Sequence, residues 1–162
     1  MFKGIDYYDI ESELSQEARL VRDTARAFVE REFLPVIREH YRAGTFPLDL
    51  APRMGALGMF GANLSGYGLP AIDNISYGLL MQELERGDSG LRSFASVQGA
   101  LVMYPILAFG SEAQRIFSSQ AARGAGNDDH AAVADSHVHP RWVDAAAAAA
   151  YFVRSCSRSW CL

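Results

Sequence analysis

The residue types best suited to chemistry lie between Met81 and Pro105, with Arg92 near the centre of this stretch. Asp88, Ser89 and Gly90 precede Arg92 and favour a turn, so Ser89 is predicted to be the N-cap of the helix that follows. The helix dipole disfavours a guanidinium in the first turn by a few tenths to about 1 kcal/mol. A nearby anion would relieve this conflict.

Two interpretations of that anion follow from the residue types. Glu85 or Asp88 can supply it in a structural ion pair, and because exposed pairs are common and weak, residue types alone favour this interpretation. Alternatively, Arg92 binds the carboxylate of a ligand in a planar, bidentate geometry that a lysine cannot reproduce.

The composition suits one globular domain, with 49% hydrophobic and 21% charged residues in a chain of 162. The net charge of -4 and the absence of a Lys/Arg run indicate neither nucleic acid nor an anionic membrane as a partner. No apolar window reaches the length of a membrane span, and the N-terminus lacks the apolar core of a signal peptide. We therefore expect a soluble, cytoplasmic protein.

Apolar residues recur at three- to four-residue spacing through most of residues 15–109 and predict an all-α helical bundle. The predicted helices span 15–33 with a continuation past Pro35 to a left-handed cap at Gly44, a short segment opening at Pro47, 71–87, and 91–104 before Pro105. The side chains expected to be buried are Val21, Phe28, Met54, Leu57, Ile75, Leu79, Leu84 and Leu101. A close crossing by another helix is expected at Gly78.

A glycine-rich stretch from Gly58 to Pro70 separates two of these helices and predicts a tight loop with positive φ at several points. Its glycine spacing matches neither GxGxxG nor GxxxxGK[ST], and no strand precedes it. Nucleotide binding by this loop is therefore disfavoured.

The composition changes sharply after Arg115. Ser111 to Gln114 form a capping box that announces a helix, but leucine falls from fourteen occurrences in residues 1–115 to Leu162 alone. Both tryptophans, both cysteines and three of the four histidines lie in residues 116–162. We therefore predict a helical domain at 1–115 and an irregular tail at 116–162, either frameshifted or a genuine flexible extension.

The tail also carries metal-ligand residue types. They are Asp128, Asp129, His130, Asp135, His137 and His139. Since no apolar scaffold flanks them to hold a metal site rigid, weak adventitious binding is favoured and no metal site is predicted. Cys156 and Cys161 make neither a CxxC motif nor half of a common zinc site.

The ordered sequence YGLLMQELERGDSGLRSFASVQGALVMYPI, with SGYG at 65–68 and FGSEAQR at 109–115, resembles the N-terminal helical domain of the acyl-CoA dehydrogenases. Within that superfamily it most resembles glutaryl-CoA dehydrogenase, over roughly residues 10–115. The family's middle β-domain holds much of the FAD site, and its C-terminal domain supplies the catalytic glutamate. The TEP and GSD motifs of the middle domain do not follow Arg115, so no catalytic residue is assigned and the cofactor-binding residues stay unknown.

The resemblance implies that Arg92 and Ser96 hold the distal carboxylate of the acyl group, with Ser93 adjacent and Glu85 in the same hydrogen-bond network. It thus favours the ligand-binding interpretation of Arg92. It also implies FAD as cofactor, an acyl-CoA substrate, an electron-transfer flavoprotein as partner, and a homo-oligomer.

Two functions remain open from the sequence. The chain is a fragment of an FAD-dependent acyl-CoA dehydrogenase that contributes the acyl-binding side of the pocket to α,β-dehydrogenation of a CoA thioester. Alternatively, it is a catalytically inactive helical module or interaction domain from a truncated gene.

The composition break yields a prediction about the coding DNA. If residues 116–162 arise from a reading-frame shift just after Arg115, a neighbouring frame continues in register with the TEP and GSD motifs. Translating the downstream DNA in all frames checks this expectation. An absence of any such open frame would instead identify the tail as a native extension.

Overall fold

Residues 6–123 are described by a computed structural model, and they contain helices and loops without a β-strand. The all-α prediction is therefore confirmed for this part of the chain. The helices are α1 (Ile10–Glu13), α2 (Gln16–Phe28), a π-helical segment (Val29–Phe33), α3 (Leu34–Ala43), a 3-10 turn (Leu48–Leu50), α4 (Ala51–Ala56), α5 (Asn74–Gly87), α6 (Ser89–Ser96), a second π-helical segment (Val97–Met103), α7 (Tyr104–Phe109) and α8 (Glu112–Ala122).

The core lies where α2 packs along α5 and where α6 returns against α5. Apolar side chains from these helices, from both π-helical segments and from the loop before α5 meet there. The largest fully buried ones are Phe28, Val29, Phe33, Met54, Met59, Leu84 and Leu91. Of the residues predicted to be buried, Phe28, Met54 and Leu84 are buried, whereas Val21, Leu57 and Leu79 are half-buried.

Each π-helical segment immediately precedes a proline in the first turn of the next α-helix. A proline lacks an N–H, and its ring clashes with the carbonyl four residues earlier, so it breaks an ordinary α-helix. At the end of each π segment the hydrogen bond spans five residues, from Leu34 N–H to the Val29 carbonyl and from Tyr104 N–H to the Gly99 carbonyl. These wider turns carry the two long helices through Pro35 and Pro105.

The second π segment overturns the predicted burial of Leu101. This side chain is 69% exposed, and Met103, at 5% exposure, occupies the core instead. A wider turn puts about one extra residue into the segment, so the inward face advances from the 3.6-residue period to a four-residue step through Ala95, Gly99 and Met103. The α-helical spacing used for the prediction does not hold there.

Two expectations for α5 are also wrong. Ile75 is 64% exposed, because Asp73 caps the helix and the buried face then begins at Ser76 and continues to Leu80 and Leu84. Asp73 accepts hydrogen bonds from the Ser76 hydroxyl and amide, which fixes this phase. At Gly78 an added Cβ would meet no atom within 4 Å among residues 6–123, so no helix crosses there.

The close approach occurs instead at Gly87, the last residue of α5. A Cβ at Gly87 would lie 2.8 Å from Cγ1 of Val29 in the first π segment. Such a contact is too short for real carbon atoms, so glycine at this position allows the end of α5 to touch that segment.

The glycine-rich loop is compact, as predicted. Gly58 and Gly61 adopt positive φ of 69° and 61°, and Tyr67 shares this left-handed conformation at 54°. The Tyr67 hydroxyl donates to Glu112 Oε2 at 2.8 Å, which ties the loop to the start of α8. The segment predicted to open at Pro47 is a 3-10 turn, and the α-helix proper starts at Ala51 with Pro52 in its first turn.

The capping box at the start of α8 is confirmed, since Ser111 and Gln114 each hydrogen-bond to the other's backbone N–H. The helix continues beyond Arg115 to Ala122, with Ser119 buried. Residues 124–162, with the candidate metal ligands and both cysteines, lie outside the described residues. The division of the chain at residue 115 stays a prediction.

A buried carboxylate joins α2 to α5. Glu83 is 3% exposed, and its Oε1 accepts from Arg26 Nε and Nη2 at 3.2 and 2.6 Å. Its Oε2 accepts from Arg86 Nε at 2.8 Å, while Arg86 Nη2 reaches Glu30 at 3.2 Å. Burial alone would raise the pKa of Glu83, but the hydrogen bonds from Arg26 and Arg86 outweigh it and lower the pKa.

Within residues 6–123, no helix is both long and apolar enough to cross a membrane.

The substitution Glu83→Gln is expected to lower the free energy of unfolding by about 2 kcal/mol. This loss of stability is smaller than the usual cost of breaking a buried ion pair, because the Arg26 and Arg86 side chains are 41% and 40% exposed and can regain water. Urea unfolding at neutral pH measures the change. Glu39→Gln, at an exposed position on α3, is the matched control.

The same substitution should alter acid stability. The pKa of Glu83 in the folded chain lies below its ordinary value of 4.5. The stabilisation that the charged carboxylate contributes is therefore fully present above pH 4.5 and is lost as the pH falls through the folded pKa. The wild-type chain should therefore lose stability relative to Glu83→Gln below about pH 4.5. Parallel pH profiles for the two chains would contradict this assignment.

Candidate functional site

The candidate site lies at the corner between α5 and α6, where one extended residue, Asp88, separates the two helices. The Asp88 carboxylate accepts from the backbone N–H groups of Gly90 and Leu91 at 2.7 and 3.3 Å. Asp88 is therefore the N-cap of α6, and the prediction that Ser89 caps this helix is wrong. An aspartate reaches these amides as well as a serine does and adds a charge that suits the helix dipole.

The hydroxyl that does not cap the helix makes a different contact. Ser89 Oγ donates to Glu85 Oε1 at 2.6 Å, and Arg92 Nε donates to Glu85 Oε2 at 2.7 Å. The structure thus brings two of the predicted site residues, Glu85 and Arg92, into direct contact. Sequence reasoning missed the Ser89 hydrogen bond, although the four-residue spacing from Glu85 could have indicated it.

The Glu85–Arg92 pair is accessible from solvent. The side chains are 46% and 39% exposed, so the pair contributes no more than about 1 kcal/mol to stability. The hydrogen bond from Ser89, and then that from Arg92, lower the pKa of Glu85. Glu85 is therefore a carboxylate at neutral pH.

Arg92 keeps unused hydrogen-bonding capacity. A guanidinium has five N–H donors, and in the part of the chain that the structure describes only the Nε donor is engaged. Half-buried Tyr77 lies close enough for the charge of Arg92 to oppose the rise in its pKa that burial causes. The two Nη groups can donate hydrogen bonds to both oxygens of a ligand carboxylate.

Ser93 and Ser96, also predicted for this site, follow Arg92 on α6 and are half-buried. The Ser96 hydroxyl donates to the Ser93 carbonyl at 3.2 Å, and neither serine side chain hydrogen-bonds to the Arg92 guanidinium within residues 6–123. Among residues 6–123 the Ser93 hydroxyl has no hydrogen-bond partner. Both serines can contribute polar contacts to a ligand beside Arg92.

Two clefts among the described residues lie away from this corner. One of about 310 Å³ opens between α2 and α4, and one of about 220 Å³ lies between the glycine-rich loop and the end of α8. Neither is lined by Glu85 or Arg92. The arginine and carboxylate at this corner are exposed, and they can bind a carboxylate ligand without an enclosed cavity.

The two cleft volumes lie at or below the lower end of the about 300–1,000 Å³ that is usual for small-molecule sites. The described residues also contain no group of three His, Cys, Asp or Glu side chains placed to hold a metal ion.

Comparison with known proteins places the helical bundle in a family. The model of the acyl-CoA dehydrogenase N-terminal domain matches residues 15–118. Short-chain specific acyl-CoA dehydrogenase of Bos taurus mitochondria is 34% identical over 107 residues, which are 64% of this chain and 25% of that protein. A probable acyl-CoA dehydrogenase of Bacillus subtilis is 33% identical over 106 residues, which are 64% of this chain and 27% of that protein.

Solved structures agree with this relationship. A glutaryl-CoA dehydrogenase from Mycobacterium smegmatis, solved in complex with FADH2, superposes with a TM-score of 0.69 and 40% identity, over 73% of this chain and 31% of that one. Butyryl-CoA dehydrogenase from Megasphaera elsdenii gives a TM-score of 0.61 and 28% identity, over 69% of this chain and 30% of that one.

The chain spans about a quarter of the length of the curated relatives it matches. The match nevertheless includes α2 through most of α8, and therefore the whole corner that carries Glu85 and Arg92. The chain belongs to the acyl-CoA dehydrogenase family, and its residues 15–118 correspond to the family's N-terminal domain.

Proposed function

We propose that this chain contributes the acyl-binding side of the pocket in an FAD-dependent dehydrogenase of dicarboxylyl-CoA thioesters, with glutaryl-CoA as the substrate. Arg92 binds the distal carboxylate of the acyl group. Ser93 and Ser96 provide polar groups beside it, and Glu85 orients the guanidinium. The function needs groups beyond the described residues, because the resemblance implies that much of the FAD site and the catalytic glutamate belong to further domains.

One observation carries this proposal: Arg92 is half-exposed and donates only Nε to Glu85. An arginine serving a structural pair alone is best satisfied when both carboxylate oxygens face its planar edge. Here the Nη groups are left for a second carboxylate. Glu85 can therefore form the structural ion pair with Arg92 while the Nη groups stay open to a ligand carboxylate.

Two structural relatives are named for acyl groups that differ at the end remote from the thioester. A glutaryl group ends in a carboxylate, whereas a butyryl group of similar length ends in a methyl group. The structural relative named for glutaryl-CoA is 40% identical to this chain, against 28% for the one named for butyryl-CoA. This difference supports a dicarboxylyl substrate, and an arginine at the pocket has a clear use only with that class.

The complete reaction implied by the resemblance removes the α-proton and the β-hydride of the acyl group. In that reaction FAD accepts the hydride, and an electron-transfer flavoprotein then takes up the electrons. A homo-oligomeric, cytoplasmic enzyme is part of the same proposal. The residues of this chain bind and orient the acyl group in it.

The substitution Arg92→Lys tests substrate recognition in a hybrid enzyme in which residues 15–118 replace the corresponding domain of the Mycobacterium smegmatis glutaryl-CoA dehydrogenase. Lysine keeps the charge but loses the two parallel hydrogen bonds. We expect kcat/KM for glutaryl-CoA to fall about tenfold or more, and that for butyryl-CoA to change little. Steady-state kinetics with a dye as electron acceptor measure both values.

Arg42→Lys, in the last turn of α3, is the control for a general effect of replacing arginine. It should leave both substrates unaffected. Equal losses on glutaryl-CoA and butyryl-CoA with Arg92→Lys would make Arg92 a structural residue and would end the proposal of a dicarboxylyl substrate.

The isolated chain is expected neither to retain FAD nor to oxidise acyl-CoA thioesters. By resemblance, much of the FAD site and the catalytic glutamate belong to further domains, and a general base must lie within hydrogen-bond reach of the proton that it removes. Absorbance near 450 nm after purification with excess FAD, followed by a dye-reduction assay, checks both expectations. A yellow, dye-reducing chain without any partner would refute them.

A further inference from the structure

The carboxylate of Glu85 divides its two oxygens between two donors. Oε1 accepts from the Ser89 hydroxyl at 2.6 Å, and Oε2 accepts from Arg92 Nε at 2.7 Å. All three groups lie on the outer side of the α5–α6 corner, where Glu85 and Ser89 are exposed and Arg92 is half-buried. Glu85 thus holds Arg92 through one oxygen only.

A carboxylate with both oxygens free tends to bind arginine in a different way. Its two oxygens align with two N–H groups on one edge of the guanidinium, and this bidentate pair is stronger than a single hydrogen bond. In that arrangement Glu85 would occupy an Nη donor as well as Nε. The hydrogen bond from Ser89 opposes this arrangement by holding Oε1 in its present position, in which Oε1 makes no hydrogen bond with the guanidinium.

The Ser89 hydroxyl is free for this purpose because it does not cap α6. Asp88 caps the helix through its Oδ1, which accepts from the amides of Gly90 and Leu91. The Asp88 carbonyl accepts from the backbone N–H of Arg92 at 3.2 Å, but within residues 6–123 the Asp88 carboxylate makes no hydrogen bond to the guanidinium. Glu85 is therefore the carboxylate that holds the Arg92 side chain. Replacing Ser89 should therefore leave the helix start intact.

We propose that Ser89 is a positioning residue that keeps the Nη groups of Arg92 open to a ligand carboxylate by holding one oxygen of Glu85. The proposal rests on the proposed function, since it assumes that Arg92 binds the ligand. Without the Ser89 hydroxyl, Glu85 closes onto Arg92 with both oxygens and competes with the ligand for the Nη donors. Ser89 thereby determines the affinity for dicarboxylyl groups without touching them.

Binding to the purified 162-residue chain tests this mechanism. The probe is glutaramate, which has a carboxylate at one end and a neutral amide in place of the thioester, and butyramide is the probe without a carboxylate. Titrations followed by the backbone amide resonances of α6 in 1H–15N spectra, which every variant retains, measure dissociation constants into the millimolar range. The Nε–H resonance of Arg92, assigned by its absence from Arg92→Lys, reports contact with the guanidinium in the other variants.

Ser89→Ala should weaken glutaramate binding about threefold to tenfold, the range expected when one neutral hydrogen bond governs the competition. Ser89→Thr keeps the hydroxyl and should restore binding. In the Glu85→Gln background, Ser89→Ala should have no further effect, because an amide has one acceptor oxygen and cannot close onto Arg92 with two. Butyramide binding should be the same in all variants.

A readout without ligand supports the same test. In Ser89→Ala the Nη protons of Arg92 should become protected from exchange, because Glu85 then holds them. Unchanged Nη protons would overturn the proposal for Ser89 even if no probe bound to the isolated chain.

The two proposals fail differently. Glutaramate binding that is lost in Arg92→Lys but unchanged in Ser89→Ala would remove the positioning role of Ser89 and leave the proposed function intact. Equal glutaramate binding by wild-type chain and Arg92→Lys would reject the proposed function itself.

Discussion

The buried carboxylate of Glu83 is the interaction on which the rest of the domain depends. Both of its oxygens accept hydrogen bonds from arginines, one on α2 and one on α5, so it can be buried as a charge. The carboxylate can reach both arginines at only one rotation of α5 against α2. Because Glu85 is two residues further along the helix, about 200° around its axis, burying Glu83 turns Glu85 outward.

α5 therefore carries two glutamates with different chemistry. Glu83 is enclosed and has both oxygens engaged by arginines, which suits a structural group. Glu85 is half-exposed and shares its oxygens between a hydroxyl and a guanidinium, which leaves donors free nearby. The one-residue turn at Asp88 sets the start of α6 beside the end of α5, so the corner combines residues from two helices without a long loop.

The helices could be predicted from apolar spacing, because the 3.6-residue period holds through α2 and α5. The burial of side chains beyond Gly99 could not be predicted in this way, because the π-helical hydrogen bonds before Pro105 shift the inward face of the helix and expose Leu101. An ion pair for Arg92 followed from residue types, but the choice between Asp88 and Ser89 as N-cap did not, because both side chains can cap. Knowledge of family patterns, rather than periodicity, indicated a ligand at this corner.

The π-helical segments also bear on how such a domain tolerates changes in length. Removing one residue between Val97 and Met103 would allow ordinary α-helical hydrogen bonds to form, so helix content would scarcely change. The residues that follow would nevertheless keep their direction, because the deletion removes the one residue that the wider turns add, and Met103 would stay in the core. In this helix, the loss of one residue is absorbed locally and leaves the inner and outer surfaces of α7 where they are.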